Sequence, residues 1–314
     1  MKTTSAIPIQ QLQARFGDRL QENVTLANYT TAHVGGAAAA MLVATSAAEL
    51  ETTLRTLWEL QAPVYVFGSG SNVLVADSGL EGVVVLNHAR TIRVDAHTNP
   101  PTVQAESGAN FGSVARQVAL RAFSGLEWAC TIPGTVGGAV YGNAGAYGSE
   151  VSKDLVLADI LHQKYGKVTW TSEQMGYAYR TSILKQNPRQ AVILSAQFKL
   201  SLSSVEEVQQ RMSGYGDHRR ANQPAGASMG SMFKNPPGDY AGRLIEAAGL
   251  KGKTIGGAEI SSVHANFMIN CGNATATDLG KLIQLARNTV YEQTGIRLEL
   301  EVELLGDWSW LQAL

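Results

Sequence analysis

Two segments of the chain combine a high glycine content with an absence of charged side chains, a composition suited to backbone contact with an anionic ligand. The first, GSGSN at residues 68–72, follows an apolar run that predicts a buried strand. Its backbone N–H groups and the hydroxyls of Ser69 and Ser71 could hold a phosphate group. A tight turn between two strands explains the segment equally well when it is taken alone. A GxGxxG dinucleotide fingerprint is excluded, because Val73 occupies the third glycine position and no helix signal follows.

The second segment, residues 131–148, reads TIPGTVGGAVYGNAGAYG and is more informative. It carries six glycines and no charged residue. Backbone amides in such a loop can lie against a large flat or anionic ligand. A flexible surface loop is the alternative, although flexible linkers seldom contain Ile, Val and Tyr. Two loops of this kind fit a dinucleotide that is not bound as in a Rossmann fold.

Hydrophobic periodicity predicts the elements that position these loops. Ser46 and Glu49 have the spacing of a capping box at the start of a helix, and Pro63 ends it. The apolar face of this helix is formed by Leu50, Leu54, Leu57 and Leu60. Strands are then predicted at residues 64–67, 81–87, 91–96 and 102–109, and a helix at residues 113–123.

Beyond the second glycine-rich segment, strands are predicted first and helices follow. Antiparallel strands are predicted at residues 156–163, 166–175 and 191–200, and Ser204 and Glu207 form a second capping box before a helix. A later helix presents Ala241, Leu244, Ile245 and Ala248 on one face and ends at Gly249. The last helix presents Leu279, Leu282, Ile283, Ala286 and Val290 and ends at Gly295. A final strand at residues 298–306 completes an α+β fold.

Composition excludes several classes of protein. The chain has 314 residues, 45% of them hydrophobic, and a net charge of −1, so it lacks the basic field that nucleic-acid binding needs. Cys130 and Cys271 are the only cysteines and fit buried thiols in a reducing compartment. The six histidines form no metal-ligand cluster, and no apolar run reaches membrane-spanning length. We expect a cytoplasmic protein that binds neither metal, nucleic acid nor membrane.

Four further motifs follow the two glycine-rich segments in order. They are YAYRTS (177–182), GSMFKNPPGDYAGRLIEAAGLKG (230–252), IGGAEISSVHANFMIN (255–270) and LELEVELLG (298–306), with GSGSNVLV extending the first segment. Together they resemble the UDP-N-acetylenolpyruvoylglucosamine reductases, the MurB family, from about residue 26 to residue 306. The interval of about 50 residues between Arg180 and Ser231 is similar to the family's second type, which lacks an extra tyrosine-bearing loop.

The resemblance implies a fold and a cofactor. The fold would be a vanillyl-alcohol-oxidase-type FAD-binding domain over residues 26–200, in subdomains 26–92 and 93–200. A lead-in of residues 1–25 would precede it, and a substrate-binding domain of residues 201–314 would follow. FAD would be bound without a covalent link by the two loops. The implied FAD contacts are Gly68, Ser69, Gly70, Ser71, Asn72, Ile132, Pro133, Gly134, Thr135, Gly137, Gly138, Asn143, Ala144 and Gly145.

The implied reaction is NADPH-dependent reduction of the enolpyruvyl ether of UDP-N-acetylglucosamine to UDP-N-acetylmuramate, a step of cell-wall synthesis. By resemblance Arg180, Ser231 and Glu301 are catalytic. Arg180 would stabilise negative charge at the substrate carboxylate, and Ser231 would protonate the α-carbon. A carboxylate at Glu301 would repel the developing anion, so Glu301 is either protonated or acts through Arg180 or water. Taken alone, each of the three is better explained as a turn, surface or strand residue.

Five further residues are candidates for substrate binding: Tyr179, Arg219, Lys234, Asn235 and His264. Arg219 fits either a nucleotide diphosphate or a helix C-terminus, where it would complement the dipole. His264 fits a substrate contact or an interior histidine equally well. Lys234 and Asn235 could contact substrate or nicotinamide phosphate, or form an exposed turn. We expect a monomer or weak oligomer.

Some residues depart from the family pattern. The stretch between Pro224 and Gly230 is about one residue short, and Leu300 and Tyr141-Gly142 replace more usual residues. Two other functions compete with the reductase. An oxidase of the same FAD fold would lack the motifs from GSMFKNP to LELEV. A nucleotide-binding protein without catalysis would bind FAD but show no turnover.

Overall fold

A computed structural model describes residues 7–311. Its helices are α1 Ile9–Phe16, α2 Ala47–Glu59, α3 Phe111–Ala119, α4 Val136–Gly142, α5 Val151–Asp154, α6 Ile183–Gln186, α7 Val205–Asn222, α8 Ala241–Ala247 and α9 Ala276–Thr294. Short 3₁₀ turns occupy Gly17–Arg19, Leu26–Tyr29, Glu127–Thr131 and Ser309–Leu311. Within residues 7–311, no helix has both the length and the apolar character needed to span a membrane.

The strands of the described residues are mostly short. They are β1 Gln21–Thr25, β2 Ala37–Ala44, β3 Val64–Phe67, β4 Val73–Val75, β5 Leu80–Asn87, β6 Ile92–Asp95, β7 Thr102–Glu106, β8 Phe123–Ser124, β9 Gly145–Ala146, β10 Ser149–Glu150, β11 Leu155–His162, β12 Gly166–Thr171, β13 Ala191–Lys199, β14 Ser201–Leu202, β15 Ala227–Ser231, β16 Thr254–Ile255, β17 Ala258–Ile260, β18 Phe267–Asn270 and β19 Glu303–Leu305. The larger sheets have the orders β1-β2-β5-β3, β12-β11-β13-β7-β6 and β15-β18-β17-β16. The three strands predicted between residues 156 and 200 are antiparallel neighbours, as expected.

By contact the chain divides into two discontinuous units. The first comprises Met1–Gln21, Met41–Gly68 and Gly82–Arg219, and the second Glu22–Ala40, Ser69–Glu81 and Arg220–Leu314. Each unit has its own hydrophobic core. In the first, the ring of Phe111 packs edge-on against Trp128 at 5.5 Å between centroids. In the second, the buried face of α9 forms much of the core. The predicted boundaries near residues 25, 92 and 200 stay predictions.

The caps of the helices follow from their sequences. Ser46 Oγ accepts the Glu49 N–H at 3.1 Å, as the capping-box pattern predicts, but the Glu49 carboxylate accepts the Thr45 N–H at 2.8 Å. That backbone hydrogen bond, with one from the Thr45 hydroxyl, lowers the pKa of Glu49. A complete capping box, which the sequence analysis did not predict, joins Thr275 and Asp278 at the start of α9.

Two predicted elements differ in the structure. Residues 131–148 were expected to be a loop, yet they contain α4, because Thr135 caps one end and the left-handed Asn143 closes the other. The final strand was expected over residues 298–306 but is confined to β19, which pairs in parallel with β4. Residues 299–301 instead pair with a different segment, described below.

Candidate active site

The glycine loop, residues 131–148, is a candidate ligand-binding feature of the first unit. Thr135 Oγ1 accepts the Gly138 N–H at 3.4 Å and so begins α4. Asn143 is completely buried with a φ of 47°, and its side chain accepts the Ser152 N–H at 3.0 Å. The Ile132 N–H donates to Ala129, and the Gly134 carbonyl accepts the Phe111 N–H at 3.1 Å. The loop is therefore ordered by its own caps and anchors, which excludes a flexible linker.

Some glycines of the two loops are required by the packing of the protein itself. A Cβ on Gly68 would lie 2.5 Å from Thr135 Oγ1, and one on Gly137 would lie 2.9 Å from the Ser107 Cβ. A Cβ on Gly145 would lie 2.6 Å from the Ser149 carbonyl oxygen. These close approaches explain the three glycines without any ligand.

Two other glycines have no such explanation. Both Gly138 and Gly142 lie in α4, where glycine costs about 1 kcal/mol relative to alanine. A Cβ on Gly138 would come no closer than 3.7 Å to another group, and a Cβ on Gly142 would meet nothing within 4 Å. Neither residue has a positive φ. The bare surface that they create is thus suited to a flat ligand, such as a flavin nucleotide.

The arginine turn, residues 177–182, is fixed onto the glycine loop by side chains. Tyr177 donates its hydroxyl proton to the Val140 carbonyl at 2.9 Å, and Ser182 donates to the Tyr141 carbonyl at 2.6 Å. The Asn143 amide donates to the Ala178 carbonyl at 3.1 Å. Burial raises the pKa of Tyr177, so its hydroxyl stays protonated and remains a donor.

Arg180 lies at the tip of this turn. Ala178 and Thr181 exchange backbone hydrogen bonds, which leaves Tyr179 and Arg180 at the two central positions. Arg180 has a φ of 56°, uncommon for a residue with a side chain and often found at functional sites. Its guanidinium donates to the Gly145 carbonyl at 2.8 Å and lies 5.1 Å from the centroid of the Tyr179 ring. The turn therefore directs a cation along the glycine loop.

Arg219 also contacts the glycine loop. Its guanidinium donates to the Thr131 carbonyl at 2.5 Å, at the first residue of the loop. Burial lowers the pKa of Arg219, while the nearby Tyr147 and Cys130 raise it. Tyr147 stacks on Tyr215 of α7 at 4.2 Å, so α7 supports the loop through an aromatic pair as well.

In the second unit, the residues after Gly68 form the turn predicted from GSGSN. Gly70 has a φ of 61°, and its carbonyl accepts the Thr31 N–H at 3.1 Å. A Cβ on Gly70 would collide with the Tyr29 carbonyl, so the turn requires glycine here. The Ser69 and Ser71 hydroxyls lie 3.5 Å apart. Both the ligand-binding and the tight-turn interpretations fit this geometry.

Asn72 links this turn to Glu301. The Asn72 amide donates to the Glu301 carbonyl at 3.2 Å, and the Asn72 carbonyl accepts the Glu303 N–H at 3.0 Å. Residues separated by 229 positions in the sequence are thereby joined directly. One predicted cofactor residue and one predicted catalytic residue are therefore neighbours.

The serine segment, residues 231–235, runs antiparallel to the glutamate segment, residues 299–301. The Glu301 N–H donates to the Met232 carbonyl at 2.9 Å, and the Lys234 N–H donates to the Glu299 carbonyl at 2.8 Å. Ser231 is preceded by Gly230, which has a φ of 76°, and follows a bulge in the pairing of β15 with β18. Bulges of this kind redirect side chains next to active sites. The structure thus places Ser231 and Glu301 on adjacent segments.

Lys234 and Asn235 each have a structural partner. The Lys234 ammonium lies 3.3 Å from the carboxylate of the exposed Glu299. The Asn235 side chain accepts the Ala241 N–H at 3.1 Å and so supports the start of α8. These contacts explain how both side chains are held, and the ligand roles of Lys234 and Asn235 stay predictions.

His264 forms part of a tight turn. Its Nδ1 accepts the Asn266 N–H at 3.2 Å, and its ring packs edge-on against Phe267 at 5.0 Å. Burial lowers the pKa of His264 below its ordinary value of 6.5. The neutral ring therefore stabilises the turn. These contacts fit the interpretation of His264 as an interior histidine.

Asn266 is a residue that the sequence analysis missed. It is 3% exposed, its side chain accepts the Phe233 N–H at 2.9 Å, and its amide donates to the Phe233 carbonyl at 2.8 Å. The sequence context could have indicated this role, because Asn266 lies between apolar residues in HANFMIN. An amide side chain that is buried with them needs hydrogen-bond partners.

Comparison with known proteins reveals similarity along nearly the whole chain. Residues 38–172 match the profile of an FAD binding domain, and residues 222–305 match that of the C-terminal domain of UDP-N-acetylenolpyruvoylglucosamine reductase. A reductase of that name from Chloroflexus aggregans is 39% identical over 289 residues, which are 91% of this chain and 97% of that protein. One from Bacillus subtilis is 39% identical over 300 residues, covering 95% and 98%.

A solved structure is similar as well. The crystal structure of UDP-N-acetylenolpyruvylglucosamine reductase (MurB) from Thermus caldophilus superimposes with a TM-score of 0.77 at 33% sequence identity. The match covers 92% of this chain and 99% of the solved chain. Both the FAD-binding and the C-terminal regions are therefore present in the similar protein.

Proposed function

Because the chain belongs to the UDP-N-acetylenolpyruvoylglucosamine reductase family, we propose that it reduces the enolpyruvyl ether of UDP-N-acetylglucosamine to UDP-N-acetylmuramate, with NADPH as the reductant. The observation that carries this proposal is the extent of the similarity, which covers 97% of a reductase of that name. The family resemblance, the α+β fold class and the FAD-binding domain predicted from the motifs are confirmed. The product would serve peptidoglycan synthesis.

The residues present fit FAD. The bare surface at Gly138 and Gly142 has space that no protein atom fills. When bound, FAD supplies the hydride chemistry, taking hydride from NADPH and giving it to the substrate β-carbon. In our proposal the glycine loop holds the cofactor through the predicted contacts of residues 132–145, and the GSGSN turn supplies backbone donors and hydroxyls.

Arg180 is proposed to bind the substrate carboxylate. Hydride addition leaves negative charge that spreads from the α-carbon into that carboxylate, and a fixed cation stabilises it. The arginine turn supports this role, because three side-chain hydrogen bonds fix its backbone to the glycine loop. The planar guanidinium can also make paired hydrogen bonds that a lysine cannot.

Ser231 is proposed to donate the proton that the α-carbon receives. A serine hydroxyl is a weak acid, but the carbanion formed by hydride addition is strongly basic and can accept its proton. Glu301 is proposed to assist this proton donation from the neighbouring glutamate segment. The pairing of the serine and glutamate segments supports a joint role for these two residues.

We also propose a cytoplasmic location. Cys130 and Cys271 are both free thiols, as is usual in a reducing compartment. The expectation that both are buried was wrong, because Cys130 is half-buried and Cys271 is exposed.

The decisive experiment measures NADPH oxidation by the purified protein with and without the enolpyruvyl ether of UDP-N-acetylglucosamine. We expect oxidation that depends strictly on this substrate and yields UDP-N-acetylmuramate, identified by mass spectrometry. Oxidation with molecular oxygen alone would instead indicate an oxidase. Bound FAD without any turnover would indicate a nucleotide-binding protein that has no catalytic activity.

A further inference from the structure

The serine segment has two edges with different hydrogen-bond partners. On one edge, the Met232 carbonyl and the Lys234 N–H bond to the backbone of the glutamate segment. On the other edge, Phe233 presents its own N–H and carbonyl to the side chain of Asn266. Phe233 is 1% exposed, so water cannot replace these partners.

Asn266 takes the place of a strand partner at this point. Ser231 is the last residue of β15, and its pairing residue Phe267 directly follows Asn266. The Met232 N–H still bonds to the Asn266 carbonyl at 2.8 Å, but beyond it the two chains no longer pair as strands. The Asn266 carboxamide offers one donor and one acceptor in a plane, as a peptide group does. It therefore extends the ladder by one residue and satisfies both buried backbone groups of Phe233.

The position of Phe233 affects both Ser231 and Glu301, the two proposed catalytic residues of this unit. Ser231 and Glu301 are attached to the backbone on either side of the Met232 carbonyl, which accepts the Glu301 N–H. A shift of Phe233 would move that carbonyl and so change the position of the serine hydroxyl relative to Glu301. Misplacement by about 1 Å can reduce a rate by roughly 100-fold.

From this arrangement we infer that Asn266 is a positioning residue for the proton-donating half of the reaction, an inference that rests on the proposed function. Among the described residues, the hydrogen bonds of the Asn266 side chain go to the Phe233 backbone, so Asn266 acts through Phe233 and Met232. Flavin reduction by NADPH requires no proton from Ser231. The rate of that step should therefore not depend on Asn266.

The test uses Asn266→Asp in the FAD-loaded protein. The aspartate keeps an acceptor for the Phe233 N–H, but its second oxygen faces the Phe233 carbonyl. When ionised it repels that carbonyl, and when protonated it can donate to it as the amide does. Rapid-mixing spectroscopy gives separate rates for flavin reduction by NADPH and for flavin reoxidation by the enolpyruvyl substrate, each over a range of pH.

Asn270→Asp is the matched control, at the last residue of β18, the strand that begins directly after Asn266. Asn270 likewise accepts backbone N–H groups, from Gly272 and Ala274, and donates to a carbonyl, that of Ala32 at 2.9 Å. It makes no hydrogen bond to the serine segment among the described residues. The substitution thus introduces the same charge and a similar repulsion without acting on Ser231.

We expect Asn266→Asp to reoxidise roughly 100-fold more slowly at high pH, to recover as the pH falls, and to reduce its flavin at the wild-type rate. Asn270→Asp should show wild-type rates in both steps. Equal loss of both half-reactions, wild-type reoxidation, or the same defect in Asn270→Asp would each overturn the inference. If the wild-type protein itself ignored the substrate, the proposed function would fail, and this inference with it.

Discussion

The two regions that carry the proposed catalytic residues are built from different kinds of hydrogen bond. In the first unit, the side chains of Tyr177, Ser182 and Asn143 bond to backbone carbonyls and fix the arginine turn to the glycine loop. In the second unit, the serine and glutamate segments are joined by backbone hydrogen bonds, with Asn266 satisfying the outer edge. The first arrangement depends on residue types, whereas most of the second could be made by almost any residues.

Both regions have recognisable motifs, but this difference explains why only the motif of the first region indicates the contacts that its residues make. A tyrosine, a serine and an arginine with fixed spacing form a motif, because each side chain has its own partner. Backbone pairing between residues 231–235 and 299–301 leaves little trace, because the peptide group is common to all residues. The four substitutions below test whether the two regions also differ in function.

Ser231→Ala should have the largest effect. Removing the proposed acid should slow flavin reoxidation by the enolpyruvyl substrate by about 10²–10⁴-fold, the usual contribution of a positioned proton donor. Flavin reduction by NADPH should be nearly unchanged, and rapid-mixing spectroscopy separates the two steps. Equal loss of both would mean that the serine segment has a structural role shared by both ligands.

Arg180→Lys should lower kcat by about 100-fold, since a lysine cannot reproduce paired contacts with a carboxylate. Arg189→Lys is the control, because Arg189 also has a positive φ, of 67°, and lies 5.3 Å from the ring of Tyr65. Steady-state turnover of NADPH with substrate measures both variants. Near-normal kcat for Arg180→Lys would remove Arg180 from the proposed mechanism.

Gly138→Ala should have opposite effects on folding and on cofactor binding. Alanine fits without a clash in the protein and should raise the free energy of unfolding of the FAD-free chain by about 0.5–1 kcal/mol. The added methyl should weaken FAD binding by about tenfold, as expected for overpacking of a filled site.

The control is Gly214→Ala in α7, where a Cβ meets nothing within 4 Å. This substitution should stabilise the chain and leave FAD binding unchanged. Fluorescence titration with FAD and thermal unfolding give both quantities, and unchanged FAD affinity for Gly138→Ala would argue against a flavin there.

His264→Asn should have the smallest effect, on the pH dependence of stability. Burial lowers the pKa of His264 in the folded protein, so the unfolded chain binds a proton more readily as the pH falls through 6.5. The folded state therefore loses stability toward acid pH. Asparagine keeps an acceptor near the Nδ1 position but does not titrate, so the free energy of unfolding should fall less between about pH 7 and pH 5.

The control is His97→Asn, which makes the same replacement at an exposed position away from this turn. Urea unfolding at each pH measures the difference. An unchanged slope in His264→Asn would show that this turn tolerates a charged ring and is less rigid than its contacts indicate.

Much of the fold was readable from local pattern. The apolar faces of α2 and α9 and the glycine that ends α9 follow from periodicity and from the conformational freedom of Gly295, which has a φ of 72°. The family resemblance identified the FAD-binding and C-terminal regions. The length of the last strand was not predictable, because residues 298–304 alternate between apolar and acidic side chains, while only β19 of this stretch pairs with another strand.

By itself the sequence determined which residues are candidates for chemistry, since motifs such as YAYRTS and GSMFKNP preserve residue types at fixed spacing. It also indicated the helices α2, α3, α7, α8 and α9, whose hydrogen bonds are local, but not the short helix α4. Only the tertiary structure decided which glycines are required by the packing of the protein. It also decided that Asn72 donates a hydrogen bond to Glu301 and that Asn266 supports the serine segment. These facts depend on contacts between residues up to 229 positions apart, and no local pattern contains the partner of a backbone group.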